Sequence, residues 1–447
     1  MDHEMEYATA IKGGTLDLIC PEMELLVCPS YDQIALKGVG AIRSDNLGRL
    51  YFRMISPFLG AAPHRSLLGS KLAGEVYSLE DCVILRAIDE TGREWRSNPL
   101  TVDLSNEIPL PNYHVRKHTS NILHSREGSR TEHSSVRILI PGAPSLPFDM
   151  VTQDRRSVGG REIGYSSSID RHEHHIGGAI VTFRHEEEGF LSVSATQSGA
   201  FEPTWPELMC HALRFATGQT ILPVVITREL KGREDLGLHS GPFWRYSSLI
   251  PPPVYFRGRE GAGNFWRVVE LFFNHIEKHQ FEPYPLLDEL EGIRRGAQGS
   301  FQTACLTLGV GIESIAKLLL KDELVSPPSI RPLLDHLELW QGDAALKKRA
   351  QGALSRLSDV STADLMYAWA KRTGISGELL DGWKKLRNPK AHGETVTEEG
   401  PGWSLYCSAV ELLHRMVAYA IGYDGPILET SHLGWGLEKP GAPLFLS

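Results

Sequence analysis

Alternating apolar and polar positions dominate the chain up to about Leu230, and a helical spacing takes over beyond Asn264. In the first part, residues 40–43, a turn at 45–48 and residues 50–54 predict a hairpin, because strands put every second side chain on one face and Asp, Asn and Gly close the turn. Residues 82–88, a turn at 90–92 and the stretch from Glu94 repeat the pattern. Further strands are predicted over 136–140, 176–183, 190–195 and 221–230. One helix interrupts them. Thr204 and Glu207 have capping-box spacing, Leu208, Ala212 and Phe215 share a face, and Gly218 follows as a stop. Segments near 113–135 and 153–168 are polar and read as loops.

From 231 to 262 the chain is rich in Gly and Pro, including Pro251-Pro252-Pro253, and reads as a connection between domains. Beyond it, Phe265, Val268, Val269, Phe272 and Ile276 fall on one helical face. Leu306, Val310, Ile312, Ile315, Ala316 and Leu319 form a second, longer stripe. Leu379, Leu380, Trp383 and Leu386 form a third, and Leu405, Ala409, Leu412, Leu413, Met416 and Ala420 a fourth. Leu333, Leu334 and Leu337, then Leu354 and Leu357, mark shorter helices. The predicted class is α+β multidomain: a β-rich domain over 1–230, the connection 231–262, an all-α bundle over 263–425 and a tail over 426–447.

Composition narrows the function classes. A chain of 447 residues is too long for one core, and its net charge of -9 argues against a general nucleic-acid coat. The six cysteines are scattered with no C-x-x-C spacing, so no zinc ribbon or redox motif is indicated. No apolar run is long enough to span a bilayer and the start is acidic, so a cytoplasmic location is expected.

The stripe ending at Leu386 runs into Trp383-Lys384-Lys385-Leu386-Arg387-Asn388-Pro389-Lys390-Ala391-His392-Gly393. Arg387 can grip a phosphate by paired hydrogen bonds, and His392 can exchange a proton near neutral pH. Pro389 lacks an N–H and disfavours helix at Asn388, so a kink or restart is expected there, with Asn388 as N-cap and free N–H groups near an anion. In an unbroken helix Arg387 and His392 would stand about 140° apart. The kink is expected to bring them to one side. Lys384, Lys385 and Lys390 offer a local basic patch, which taken alone reads as a solvated helix face. The Arg-to-His spacing also occurs from Arg126 to His133, Arg233 to His239 and Arg331 to His336; the Asn after Arg387, the Gly after His392 and the leading amphipathic helix set this copy apart.

Leu386-Arg387-Asn388 with Ala391-His392-Gly393 resembles the Arg-x(4–6)-His signature of HEPN domains, whose fold is a helical bundle and whose members include RNases. Together with the strand-rich first half and the tail Ile421-Gly422-Tyr423-Asp424-Gly425, the chain is similar to the ApeA group of anti-phage HEPN proteins. The resemblance implies a metal-independent endoribonuclease acting in abortive infection, with no metal or cofactor and with products ending in a 2′,3′-cyclic phosphate. It implies a homodimer with the site where two bundles meet, RNA (transfer RNA as a target class) as partner, and a phage-derived trigger acting on the N-terminal domain. His392 would be general base or acid, Arg387 would hold the scissile phosphate, Asn388 would orient the histidine or cap the helix, and Lys384, Lys385 and Lys390 would bind RNA. Glu313 has two readings: an i,i+4 ion pair with Lys317, or a brace for Arg387. The rival function is a non-catalytic HEPN-like adaptor binding RNA, nucleotide or protein.

Other constellations carry less. In Arg171-His172-Glu173-His174-His175, His172 and His174 would share a strand face with His175 opposite, an awkward set for a metal. No phosphate loop and no G-x-S-x-G elbow occur, so an ATPase or serine hydrolase is not expected.

Overall fold

The computed structural model describes residues 3–28, 33–57, 78–79, 82–101, 112–119, 121–127, 133–142, 144–158, 161–186, 188–230, 232–241, 250–256, 258–279, 284–321, 330–357, 360–391 and 401–430. For 57, 112–118, 127, 152–158, 161–167, 258–259, 355–357 and 388–391 the backbone alone is described. The chain divides into two compact units, 1–214 with 220–245, and 215–219 with 246–447.

The first unit opens with a helix, α1 (His3–Lys12), followed by strands β1 (Asp17–Val27), β2 (Ile34–Ser44), β3 (Leu50–Pro57), β4 (Val83–Ile88), β5 (Glu94–Ser97), β6 (Asn112–His118) and β7 (Asn121–Glu127). Then come β8 (Ser134–Pro141), β9 (Met150–Val158), β10 (Arg161–Ile176), β11 (Ala179–Glu186), β12 (Phe190–Gln197), helix α2 (Trp205–Thr217), β13 (Val225–Leu230) and β14 (Arg233–His239). All fourteen strands belong to one sheet, in the order β6-β3-β2-β1-β4-β5-β7-β14-β13-β8-β12-β11-β10-β9. The order falls into two halves. Strands β1 to β7 form one and β8 to β14 the other, and within the sheet they meet at the antiparallel pairing of β7 with β14. The core under the first half includes Met23, Leu25, Phe52, Leu85 and Trp95, with Ala8 and Ile11 of α1 packed into it.

Several strands follow the sequence pattern. The β2–β3 and β4–β5 hairpins lie where expected, and their turns use Gly48 and Gly92 at φ 71° and 80°, a region open to glycine at no steric cost. Three expectations fail. Residues 176–183 do not form one strand: Gly177 and Gly178, at φ 56° and 79°, turn the chain between β10 and β11, as a tight hairpin requires. The segments read as loops near 113–135 and 153–168 carry β6, β7, β9 and much of β10. β6 and β9 are the two edges of the sheet, and edge strands have no need of the apolar alternation that marks a half-buried strand. The stretch 231–262, read as a connection, contains β14 and the start of the first helix of the second unit. The opening helix α1 was not foreseen from the acidic start.

The second unit is helical: α3 (Gly258–Glu277), α4 (Pro285–Ala297), α5 (Phe301–Leu319), α6 (Arg331–Leu339), α7 (Ala344–Leu357), α8 (Thr362–Thr373), α9 (Gly377–Ala391) and α10 (Pro401–Ile421). The stripe Phe265, Val268, Val269, Phe272 and Ile276 of α3 is buried as its spacing predicts. Helix α5 is central and packs against α4, α8, α9 and α10. Glycines on both α4 and α5 permit the closest of these contacts. A Cβ at Gly296 would collide with Thr307, and one at Gly311 would sit 2.5 Å from Ile293 Cγ1, so α4 and α5 approach closely. The predicted α5 stripe is partly wrong. Ile312, Ile315 and Ala316 are buried, whereas Leu306 and Val310 are 45% and 49% exposed. α5 is apolar nearly all round, so periodicity did not mark which face would be covered. Helices α6 and α7 pack mainly on each other and leave Leu333, Leu339 and Leu346 in solvent. No helix among the described residues is long and apolar enough to cross a membrane.

Candidate nucleic-acid and catalytic site on α9

Leu379, Leu380, Trp383 and Leu386 are all buried, so α9 presents its expected apolar stripe to the bundle. That stripe fixes the height and rotation at which Arg387 leaves the helix. Trp383 Nε1 donates to the carbonyl oxygen of Gly309 at 2.9 Å, and a Cβ at Gly309 would stand 3.4 Å from Arg387 Cβ. Without side-chain bulk at Gly309, the root of Arg387 lies directly on α5.

There Arg387 meets a carboxylate. Its Nη2 lies 2.5 Å from Glu313 Oε2, and the other oxygen of Glu313 lies 3.0 Å from Lys317 Nζ. Both readings of Glu313 therefore coexist, since one carboxylate bridges two cations on two helices. The arginine side chain is 37% exposed and Glu313 20%, so the pair sits at the rim of the bundle rather than in its interior. At such exposure the attraction is strongly screened.

The lysines of the stretch have other neighbours. Lys384 Nζ lies 4.4 Å over the ring of Tyr367 on α8, a cation–π arrangement, and Lys385 is exposed. Tyr367 in turn donates to Asp381 Oδ1 at 2.5 Å, and that bond to a carboxylate, aided by burial, pushes the phenol up to about 12. Lys384 and Arg387 are thus tied to different helices, α8 and α5.

The expected break at Asn388 is absent: α9 continues as helix from Gly377 through Ala391. Pro389 lies inside this helical stretch, where its missing N–H removes one ladder hydrogen bond. The proposed N-cap at Asn388 and the ring of free N–H groups fall with it. The side chains of Asn388 and Lys390, and all of His392, lie outside the described residues.

The rival histidine cluster is built as its alternation predicts. The rings of His172 and His174 stack at 5.7 Å on one face of β10, and His172 Nδ1 lies 2.8 Å from Asp149 Oδ1. Burial lowers the His172 pKa below its ordinary value, while Asp149 works in the opposite direction. Among the described residues, no group of three or more His, Cys, Asp and Glu could hold a metal ion.

One concentration of charge escaped the sequence reading. Arg93, Arg126, Arg137, Glu229 and Glu234 line a cavity in the first unit. The signal was the polar alternation of β7, β8, β13 and β14, which names one sheet face only once the strand register is known. No family model matches the chain, and no curated protein or solved structure matches it.

Proposed function

We propose that the chain is a metal-independent endoribonuclease of the HEPN type, working in anti-phage abortive infection under control of its β-rich unit. The observation that supports it best is the rim position of Arg387, held by Glu313 one helical turn beyond the exposed Val310 on α5. Leu306 and Val310 form an uncovered apolar stripe of the kind a second copy could cover, and a homodimer built there would bring two Arg387 side chains near one another. In this reading His392 moves protons between the ribose 2′-hydroxyl and the leaving 5′-oxygen. Arg387 exchanges Glu313 for the scissile phosphate and stabilises its developing charge. Asn388 orients the histidine, and Lys384, Lys385 and Lys390 hold the RNA, with transfer RNA as the target class. The expected products end in 2′,3′-cyclic phosphate, and DNA, lacking the attacking hydroxyl, is left whole.

The Arg387–Glu313 pair also favours a second reading. A guanidinium already neutralised by a carboxylate suits an adaptor that binds RNA, nucleotide or protein without cutting. The deciding experiment incubates the purified full chain with transfer RNA in the presence of a chelator, beside Arg387→Ala and His392→Ala. Cleavage by the parent alone, with cyclic-phosphate ends, is the result expected. Intact RNA in all three, with binding retained, would favour the adaptor.

A further inference from the structure

Two cysteines far apart in the chain meet just past the paired ends of β1 and β4. The antiparallel register of these strands runs from Glu22 opposite Ile88 to Val27 opposite Val83, and its next step sets Cys28 opposite Cys82. The backbone makes that step: the N–H of Cys28 donates to the carbonyl oxygen of Cys82 at 3.1 Å. Leu25 of β1 and Val83 and Leu85 of β4 enter the core, so alternation turns both cysteines to the other face of the sheet. Directly opposed residues of a hydrogen-bonded antiparallel pair have Cα atoms about 5.5 Å apart and side chains on one face. A disulfide spans Cα separations of roughly 4.4–6.8 Å. Both thiols are free.

The two are not equivalent. Cys28 is 2% exposed, and burial, with a smaller contribution from the neighbouring Cys82, raises its pKa. Cys82 is half-buried, with its Sγ 3.5 Å from the carbonyl oxygen of Ser78. An oxidant from solvent therefore reaches Cys82 first, and Cys28 is the thiol waiting beside it. Of the other four cysteines, Cys20 stands opposite Gly40, and Cys210, Cys305 and Cys407 are buried on helices.

We propose that Cys28 and Cys82 form an oxidation-dependent disulfide that staples β1 to β4, with a hydroperoxide as the oxidant. The Cys82 thiolate attacks the peroxide: an S–O bond forms, the O–O bond breaks, and the leaving oxygen takes up the thiol proton. The sulfur of Cys28 then attacks that of Cys82: an S–S bond forms, the S–O bond breaks, and hydroxide leaves as water with the Cys28 proton. Two thiols are oxidised to one disulfide, and one hydrogen peroxide is reduced to two waters. The loop so closed contains all of β2 and β3. A cross-link of this kind restricts the unfolded chain, so the oxidised first unit resists unfolding. The pair lies wholly in that unit and does not depend on the ribonuclease reading.

The test adds hydrogen peroxide to the folded full chain, blocks the remaining thiols and maps peptides by mass spectrometry with and without reduction. A Cys28–Cys82 link within one chain is expected, reversed by dithiothreitol. The oxidised protein should melt at least about 3 °C above the reduced one. In Cys28→Ser, dimedone, which captures sulfenic acids, should label Cys82; in Cys82→Ser neither link nor label should appear. The measurement on the parent needs no substitution, so a variant that fails to fold leaves the test intact. Absence of the linked peptide, a link through another cysteine in its place, or a link that leaves the melting temperature unchanged would overturn the proposal.

Discussion

Trp383 and Gly309 hold α9 on α5 through a single interior hydrogen bond, from the indole N–H to the main-chain carbonyl, at 2.9 Å. The carbonyl belongs to a helix whose ladder already uses it. Trp383→Phe removes the donor and part of the ring volume. The expected cost is about 2–4 kcal/mol, read as a lower urea midpoint of the full chain. An unchanged midpoint would show that the bond contributes nothing.

Two glycines of α5 should answer differently to alanine. At Gly309 the new Cβ would stand 3.4 Å from Arg387 Cβ, an ordinary contact, and alanine is the better helix former. Gly309→Ala should therefore leave thermal stability unchanged or slightly raised. At Gly311 the Cβ would fall 2.5 Å from Cγ1 of buried Ile293, and Gly311→Ala should cost about 1–3 kcal/mol. Equal melting temperatures in the two variants would contradict the packing described for α4 and α5.

The Arg387–Glu313 pair should matter more to RNA than to folding. With the arginine more than a third exposed, Arg387→Ala and Glu313→Gln are each expected to change stability by less than about 1 kcal/mol. Their effects on RNA should diverge. Arg387→Ala should abolish cleavage, whereas Glu313→Gln, which releases the guanidinium, should increase RNA affinity in filter binding. A loss of affinity in Glu313→Gln would mean the carboxylate positions the arginine for its ligand.

His414 makes the helical unit sensitive to acid. It is buried on α10 against Phe215, its Nδ1 has no hydrogen-bond partner among the described residues, and burial pushes its pKa down to about 3 from the ordinary 6.5. The unfolded chain therefore takes up a proton that the folded chain refuses. Stability from this group is full above pH 6.5 and is lost as pH falls toward 3. His414→Leu should narrow the difference between melting temperatures measured at pH 7 and pH 4.5. A pH profile parallel to that of the parent would remove His414 as the cause.

The sequence made the buried, regular parts of both units legible. Turn glycines at 48 and 92 and the stripes of α3 and α9 could be read because a half-covered strand or helix needs apolar residues at fixed intervals. β6 and β9 could not be read this way, since an edge strand lacks one neighbour and its polar residues look like those of a loop. Leu306 and Val310 misled for the opposite reason: apolar residues on every side of α5 concealed which face stays uncovered. At the candidate site, Arg387 was found from its motif and Glu313 from its one-turn spacing to Lys317; the brace from Glu313 to Arg387 crosses two helices, so spacing could offer it only as an alternative. Pro389 was overvalued as a breaker, since the backbone stays helical through it to Ala391.

The join between β7 and β14 sets an order of events for synthesis. Asn121 pairs with His239 and Glu127 with Arg233, so β7 waits for its neighbour until nearly the whole first unit has left the ribosome. Until then the flank of β7 is an open ladder of amides and carbonyls, the kind of template on which nascent chains stick to one another. Fragments that stop before residue 233 should accordingly form insoluble material even though all of β1 to β7 is present, while a chain reaching 241 can seal its own seam.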